Sequence, residues 1–423
     1  MFSKLLKYVS ISVGILLCSE VYAAKLFIPM DADNQTNHLK AYGVAFAALK
    51  GGLEVDWMLN YEGGSFCMND ADEIEKLCKV RGVSYEIISD AKYLSIVEKI
   101  ANPDFNADII KLEKPPKIAV YTPPGKQPWD DAVTMVLTYA EIPYDKIYDD
   151  VVLESKLPEY DWLHLHHEDF SGQYGKFWAQ YQNATWFQED VRNSEAMAKK
   201  HGFKKVSQLK LAVAKKIREF VAGGGYLFAM CSATDTYDIA LSAQHTDICD
   251  VPFDGDPAAP DAQQKLDYTQ ALAFKDFRIS VNPYEYEFSD IDNTHFRHVN
   301  PDVDYFSLFT FSAKFDPVPT MLCQNHTTTV KGFMGQTTSF RKETLKTNVL
   351  VMGDYKPKNE ARYIHGEYGK GTWTFYGGHD PEDYEHQIGD PPTELSLHPN
   401  SPGYRLILNN VLFPAARKKP RKT

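Results

Sequence analysis

Gly223-Gly224-Gly225-Tyr226-Leu227-Phe228-Ala229-Met230-Cys231-Ser232-Ala233-Thr234 is the stretch that decides the fold. Three glycines end the long amphipathic helix expected over Val206–Ala222. A short apolar run follows, bounded on one side by glycine and on the other by small polar residues, which is the pattern of a strand buried on both faces. That strand ends at Cys231, with the small residues Ala229, Ser232 and Ala233 around it. A nucleophile at a tight strand-to-helix turn needs such neighbours, because bulky ones do not fit the turn. The following helix would place its N-terminal dipole and free N–H groups beside the sulfur, where they favour a thiolate and can hold an oxyanion.

Strands and helices alternate outward from this point, which predicts an α/β domain with a doubly wound parallel sheet over 117–415. Lys117–Tyr121, Asp145–Tyr148 and Tyr160–His166 read as strands, and Trp129–Ala140 as a helix after a Pro/Gly loop. Further strands are expected at Pro319–Cys323, Asn348–Met352, Arg362–His365 and Thr372–Tyr376, with a closing helix Tyr404–Leu412. The stretch from about 250 to 300 is rich in Asp, Pro and aromatic residues and reads as an insertion. Lys114-Pro115-Pro116 separates this domain from a small α/β unit over 24–113. Residues 416–423 form a basic tail.

Lys4 and Lys7, an apolar run from Val9 to Leu17, and Val21-Tyr22-Ala23 have the layout of a secretory signal peptide over 1–23. The expected location is therefore periplasmic or extracellular. The run is shorter than the about 20 apolar residues of a membrane span, so no stable membrane insertion is expected. The net charge of −12 disfavours nucleic acid. Beyond Cys18, five cysteines remain: Cys67, Cys78, Cys231, Cys249 and Cys323. An odd number leaves at least one thiol unpaired. Cys67 with Cys78, and Cys249 with Cys323, are plausible bridges that would leave Cys231 free.

A thiolate nucleophile wants an imidazole base. His379 stands just past the strand in Gly371-Thr372-Trp373-Thr374-Phe375-Tyr376-Gly377-Gly378-His379-Asp380-Pro381-Glu382. In doubly wound sheets, sites gather beyond the carboxyl ends of strands, which favours both Cys231 and His379. Asp380 or Glu382 could orient the imidazole. A second group is Trp162-Leu163-His164-Leu165-His166-His167-Glu168-Asp169-Phe170-Ser171-Gly172. By the strand period of two, His164 and His166 share a face. His166, His167, Glu168, Asp169 and Gly172, with Ser232, are the expected pocket lining. Weaker candidates are the calcium-loop-like Asp254-Gly255-Asp256 and Asp290-Ile291-Asp292-Asn293, the pair His295 and His298, and the Tyr61–Ser65 loop.

The order of strand, elbow cysteine and late Gly-Gly-His followed by acid resembles the class I glutamine amidotransferase-like superfamily, with a Gly-Lys-Gly-Thr-Trp segment (residues 369–373) like that of trehalose-utilisation-type relatives. The resemblance covers roughly 117–415. It implies a flavodoxin-like sheet and, in active members, amide hydrolysis through a cysteinyl acyl-enzyme. Two departures stand out: Ala229 and Ala233 replace the usual glycines of Gly-x-Cys-x-Gly, and His379-Asp380-Pro381-Glu382 is one residue longer than His-x-Glu. Whole chains of this appearance also resemble exported bacterial proteins labelled asparagine synthetase B-like, although this chain has neither an N-terminal cysteine nucleophile nor a Ser-Gly-Gly-x-Asp-Ser nucleotide loop. The expected substrate is a small molecule, with no cofactor and no assigned metal. Two alternatives remain: a silent carbohydrate- or peptide-binding module on the same fold, and a metal-dependent hydrolase using the His166–Asp169 cluster.

Overall fold

In the computed structural model the described residues are 24–124, 131–292, 303–385 and 387–418. The signal-peptide stretch, His295, His298, the start of the helix expected from Trp129 and the end of the basic tail lie outside them.

The chain is α/β and builds two sheets. The smaller contains β1 (Lys25–Ile28), β2 (Val55–Leu59), β3 (Ser65–Asn69), β4 (Glu86–Ile88) and β5 (Asp108–Leu112), in the order β4-β1-β3-β2-β5. All four pairings are antiparallel. The larger contains β6 (Ile118–Tyr121), β7 (Asp145–Ile147), β8 (Trp162–Leu165), β9 (Tyr226–Met230), β10 (Tyr305–Leu308), β11 (Thr329–Lys331), β12 (Phe340–Arg341), β13 (Leu350–Tyr355), β14 (Glu360–Tyr368) and β15 (Gly371–Tyr376). Its order is β11-β10-β13-β14-β15-β9-β8-β6-β7, with β12 pairing β14.

The wholly parallel sheet expected from the sequence needs correction. Neighbours along β7-β6-β8-β9-β15 are parallel, but every pairing from β15 towards β11 is antiparallel. The turn Tyr368–Gly371 folds β14 back on β15, and no crossover helix intervenes. The strand expected at Pro319–Cys323 is instead a helix, Pro317–Leu322. Proline is well placed there, since the first helical turn needs no N–H donor from it. Asp131 caps a helix at Ala132–Tyr139, accepting the amides of Val133 and Thr134. The amphipathic helix Thr185–Lys200 was not anticipated.

The central strands are buried on both faces, and their side chains alternate between two cores. Ile118, Val120, Trp162, Phe228 and Met230 face one core; Ala119, Tyr121, Leu163, Leu227 and Ala229 face the other. The first core also takes in Leu26, Ile28, Leu39, Tyr42, Trp57 and Phe66, so the small sheet is joined to the large one through continuous apolar packing. The second is closed by helices Val206–Gly223 and Ala233–Ser242 and by Phe274, Phe277, Phe288 and Ile291 from the irregular stretch after 250.

All five described cysteines are free. The expected bridges fail because the partners belong to different cores. Cys67 lies on the outer face of the small sheet, whereas Cys78 lies in the core between the sheets. Cys249 sits in the second core near Ser171 O, and Cys323 packs against the first.

Candidate active site

Three loops meet at the carboxyl ends of adjacent parallel strands. β8 leads into His166–Asp169, β9 into Cys231, and β15 into Gly377-Gly378-His379; Leu165 pairs Ala229 and Met230 pairs Tyr376 in the register. Cys231 is buried and has φ of +50°, a left-handed conformation rare for a side chain other than glycine and concentrated at functional sites. Its amide donates to Gly378 O at 3.1 Å, and Ala233 N donates to His166 O at 3.0 Å. Backbone bonds thus tie the elbow to both histidine-bearing loops.

The fourth wall is residues 333–338, which sequence reading missed. A Cβ on Gly377 would come within 2.5 Å of Thr338 O, and one on Gly335 within 2.7 Å of His379 N. Gly377 and Gly335 are therefore where this loop and the β15 turn touch backbone to backbone. Thr337 Oγ1 bonds Asp235 Oδ1 at 2.9 Å, which ties the loop to the helix after Cys231, and Thr338 N donates to Asp292 Oδ1 at 3.0 Å, which ties it to the irregular stretch after 250. Gln336 N donates to Cys231 Sγ at 3.3 Å. Burial pushes the Cys231 thiol up to about 11, while the amides of Thr337, Gln336 and Ser232 act in the opposite direction. At neutral pH the resting sulfur is a protonated thiol in a shell of N–H donors.

Cys231, His379, His167, Phe177, Tyr286 and Gln336 all line one cavity of about 300 Å³. The His379 ring centroid lies 4.3 Å from that of His166 and 6.0 Å from that of His167. The same-face expectation for His164 and His166 holds: His164 Nε2 lies 3.4 Å from His166 Nδ1. Asp131 was not anticipated, yet its carboxylate stands 3.5 Å from both of these rings. The two rings hold its carboxyl well below the usual range although burial pushes the other way. Asp-Asp ahead of a helix is a cap signal, but nothing local tells that a strand 30 residues on brings histidines to it.

The remaining candidates divide. Glu168 is buried; Oε2 accepts His166 N at 3.1 Å, Oε1 has no hydrogen-bond partner, and burial raises the carboxyl to about 8. Ser232 Oγ is also buried without a partner. Asp169 holds its own loop by accepting from Ser171 N and Gly175 N. His167, Glu168, Asp169 and Gly172 line a second cavity of about 200 Å³ that shares His167 and Phe177 with the first. Asp380 Oδ1 accepts from the Tyr404 hydroxyl at 2.7 Å and Glu382 N at 2.9 Å, and Glu382 pairs with His398 at 3.1 Å. The Tyr61–Ser65 loop packs elsewhere, with Gly63 O accepting from Arg405 and Ser65 Oγ donating to Tyr61 O. The calcium-like Asp254 and Asp256 are both paired with Lys205, and Asp290 with Arg341.

No known family model matches the chain, and no curated protein does. Among solved structures, the Salmonella typhimurium cytoplasmic protein STM3548 aligns over 71% of this chain and 100% of its own, at 12% identity and a TM-score of 0.34. The cytoplasmic protein STM1381 of Salmonella typhimurium LT2 covers 65% of this chain and 91% of its own at 12% identity, with a TM-score of 0.32. Gan42B, a GH42 beta-galactosidase from G. stearothermophilus, covers 63% of this chain and 28% of its own at 12% identity, with a TM-score of 0.27. At such values nothing functional passes from these proteins to this chain. Among the described residues, no helix is long and apolar enough to cross a membrane.

Proposed function

We propose that this chain is a cysteine-dependent hydrolase of small amides, an exported member of the class I glutamine amidotransferase-like superfamily. The observation that carries the reading is the Cys231 turn: a left-handed cysteine, ringed by backbone N–H groups, in the same cavity as His379. The strand order β7-β6-β8-β9-β15 supports the flavodoxin-like part, because it runs second, first, third, fourth, fifth among the parallel strands in chain order. The leader-like residues 1–23 support export.

The chemistry follows from the thiol's high pKa. Since the resting sulfur keeps its proton, attack on a carbonyl carbon requires concurrent transfer of that proton to a base. Of the two imidazoles in the cavity, His167 and His379, we assign this role to His379, which follows the strand paired with that of Cys231. The S–C bond forms, the C–N bond breaks, and the amine leaves with the proton from His379. Water then adds to the thioester, returning a proton to the sulfur and releasing the acid. The amides of Gln336, Thr337 and Ser232 supply N–H donors near the developing oxyanion.

Intact-mass measurement after incubation with activated p-nitrophenyl esters and γ-glutamyl p-nitroanilide tests this directly. One acyl group should appear on the peptide containing Cys231, and none on Cys231→Ala. An adduct of equal yield on the variant overturns the proposal.

A further inference from the structure

We infer that His166, His167 and His379 form a binding site for one divalent transition-metal ion of the zinc class. One ring nitrogen from each lies within 4.8 Å of the other two. Nitrogens around a tetrahedral zinc at about 2.0–2.1 Å stand about 3.3 Å apart, so closing the site takes only small ring movements. Three imidazoles with a remaining coordination position are the donor set of a catalytic rather than a structural zinc site. Here that position would face the Cys231 cavity, because His167 and His379 line it.

Two independent observations point to a ligand. His166 is completely buried, yet its Nε2 has no hydrogen-bond partner, a costly state for a ring nitrogen unless something else occupies it. Its other nitrogen, Nδ1, faces the Asp131 carboxylate at 3.5 Å. A carboxylate behind one ring nitrogen is the usual outer support of a ligating histidine, because it fixes the tautomer and aims the opposite nitrogen. Asp131 is itself held by the amides of Val133 and Thr134. The ligands come from the ends of two strands, so the site exists only when the sheet is assembled. It differs from the contiguous His166, His167, Glu168 and Asp169 set suggested by sequence: the two histidines stay, Asp169 is spent on its loop, Glu168 is not part of the cluster, and His379 joins.

This inference does not rest on the thiol chemistry. An ion on His379 would occupy the lone pair needed to take the Cys231 proton, so the two properties can be separated by experiment. The full chain, stripped with a chelator, would be titrated with Co²⁺ and with Zn²⁺. One saturable ion per chain is expected, with the visible bands of four- or five-coordinate, nitrogen-ligated cobalt and no thiolate charge-transfer band. His167→Asn, at the least buried of the three ligands, should weaken binding about tenfold or more, and Asp131→Asn, acting through His166, about tenfold. Cys231→Ala should bind as wild type while losing the acyl adduct. Absence of saturable binding to the wild-type chain would overturn the inference without any variant. So would undiminished binding by folded His167→Asn and His379→Asn, or loss of binding in Cys231→Ala.

Discussion

Two buried polar clusters in this molecule are built on opposite terms. Around Arg405, between the small sheet and the large one, donors and acceptors are matched. Arg405 donates to Met30 O, Gly63 O and the Tyr42 hydroxyl and meets His326 Nδ1, while Asn409 donates to Leu322 O and Gln324 O. Around Cys231, polar atoms are equally buried but several are unmatched: His166 Nε2, Glu168 Oε1, Ser232 Oγ and Asp235 Oδ2. The first arrangement holds two layers together. The second keeps unsatisfied groups beside a cavity at some cost in stability, the signature expected where a ligand or reacting group completes the set.

The largest effect should come from breaking the matched cluster. Arg405→Leu strands the Gly63 carbonyl and leaves Met30 O with His38 Nε2 alone. A buried carbonyl without a partner costs about 1–3 kcal/mol, so the urea midpoint should fall by the equivalent of about 2 kcal/mol. A loss below about 1 kcal/mol would mean that the two layers do not depend on it. Acid should reach the same region. Burial, helped by Arg405, depresses His38 to about 4 and His326 to about 3. Both are bases whose folded values lie below the unfolded value near 6.5. Their contribution is therefore full above about pH 6.5 and is lost as pH falls towards 4, by on the order of 2 kcal/mol for His38. Urea titrations at several pH values should show this slope, and His38→Gln should flatten it. An unchanged slope would place the acid sensitivity elsewhere.

The site should answer differently. Gly378→Ala puts a Cβ 2.4 Å from the Phe333 ring at a φ of +104°, which should cost about 1–3 kcal/mol and disturb the Cys231–Gly378 bond. The smallest effect should be Ser232→Ala. Removing a buried hydroxyl with no partner should leave stability within about 1 kcal/mol of wild type, or raise it. Marked destabilisation there would show that the unmatched state of the cluster is an incorrect description.

The legible parts of this molecule were local ones. Gly225 precedes β9 because a Cβ would press 2.3 Å from the Phe220 ring, and the apolar run to Cys231 has the composition of a doubly buried strand. Cys231, His166 and His379 could be placed at strand ends; there the His166 and His379 ring centroids lie 4.3 Å apart, and Cys231 and His379 line one cavity. What escaped was nonlocal. Nothing near Asp131 signals that it stands behind His166, and nothing in Gly335–Thr338 signals a cavity wall, because both roles arise from sheet assembly. Antiparallel closure by β10–β14 was invisible for the same reason. Cysteine parity gave plausible pairs but no information on which face of a sheet each thiol occupies.

Ammonia release from a panel of small primary carboxamides, by the wild-type chain and by Cys231→Ala, tests the central claim most directly. Release from at least one amide that disappears in the variant is the predicted result. Release that persists unchanged without the thiol, or no release from any amide by the wild-type chain, would contradict it.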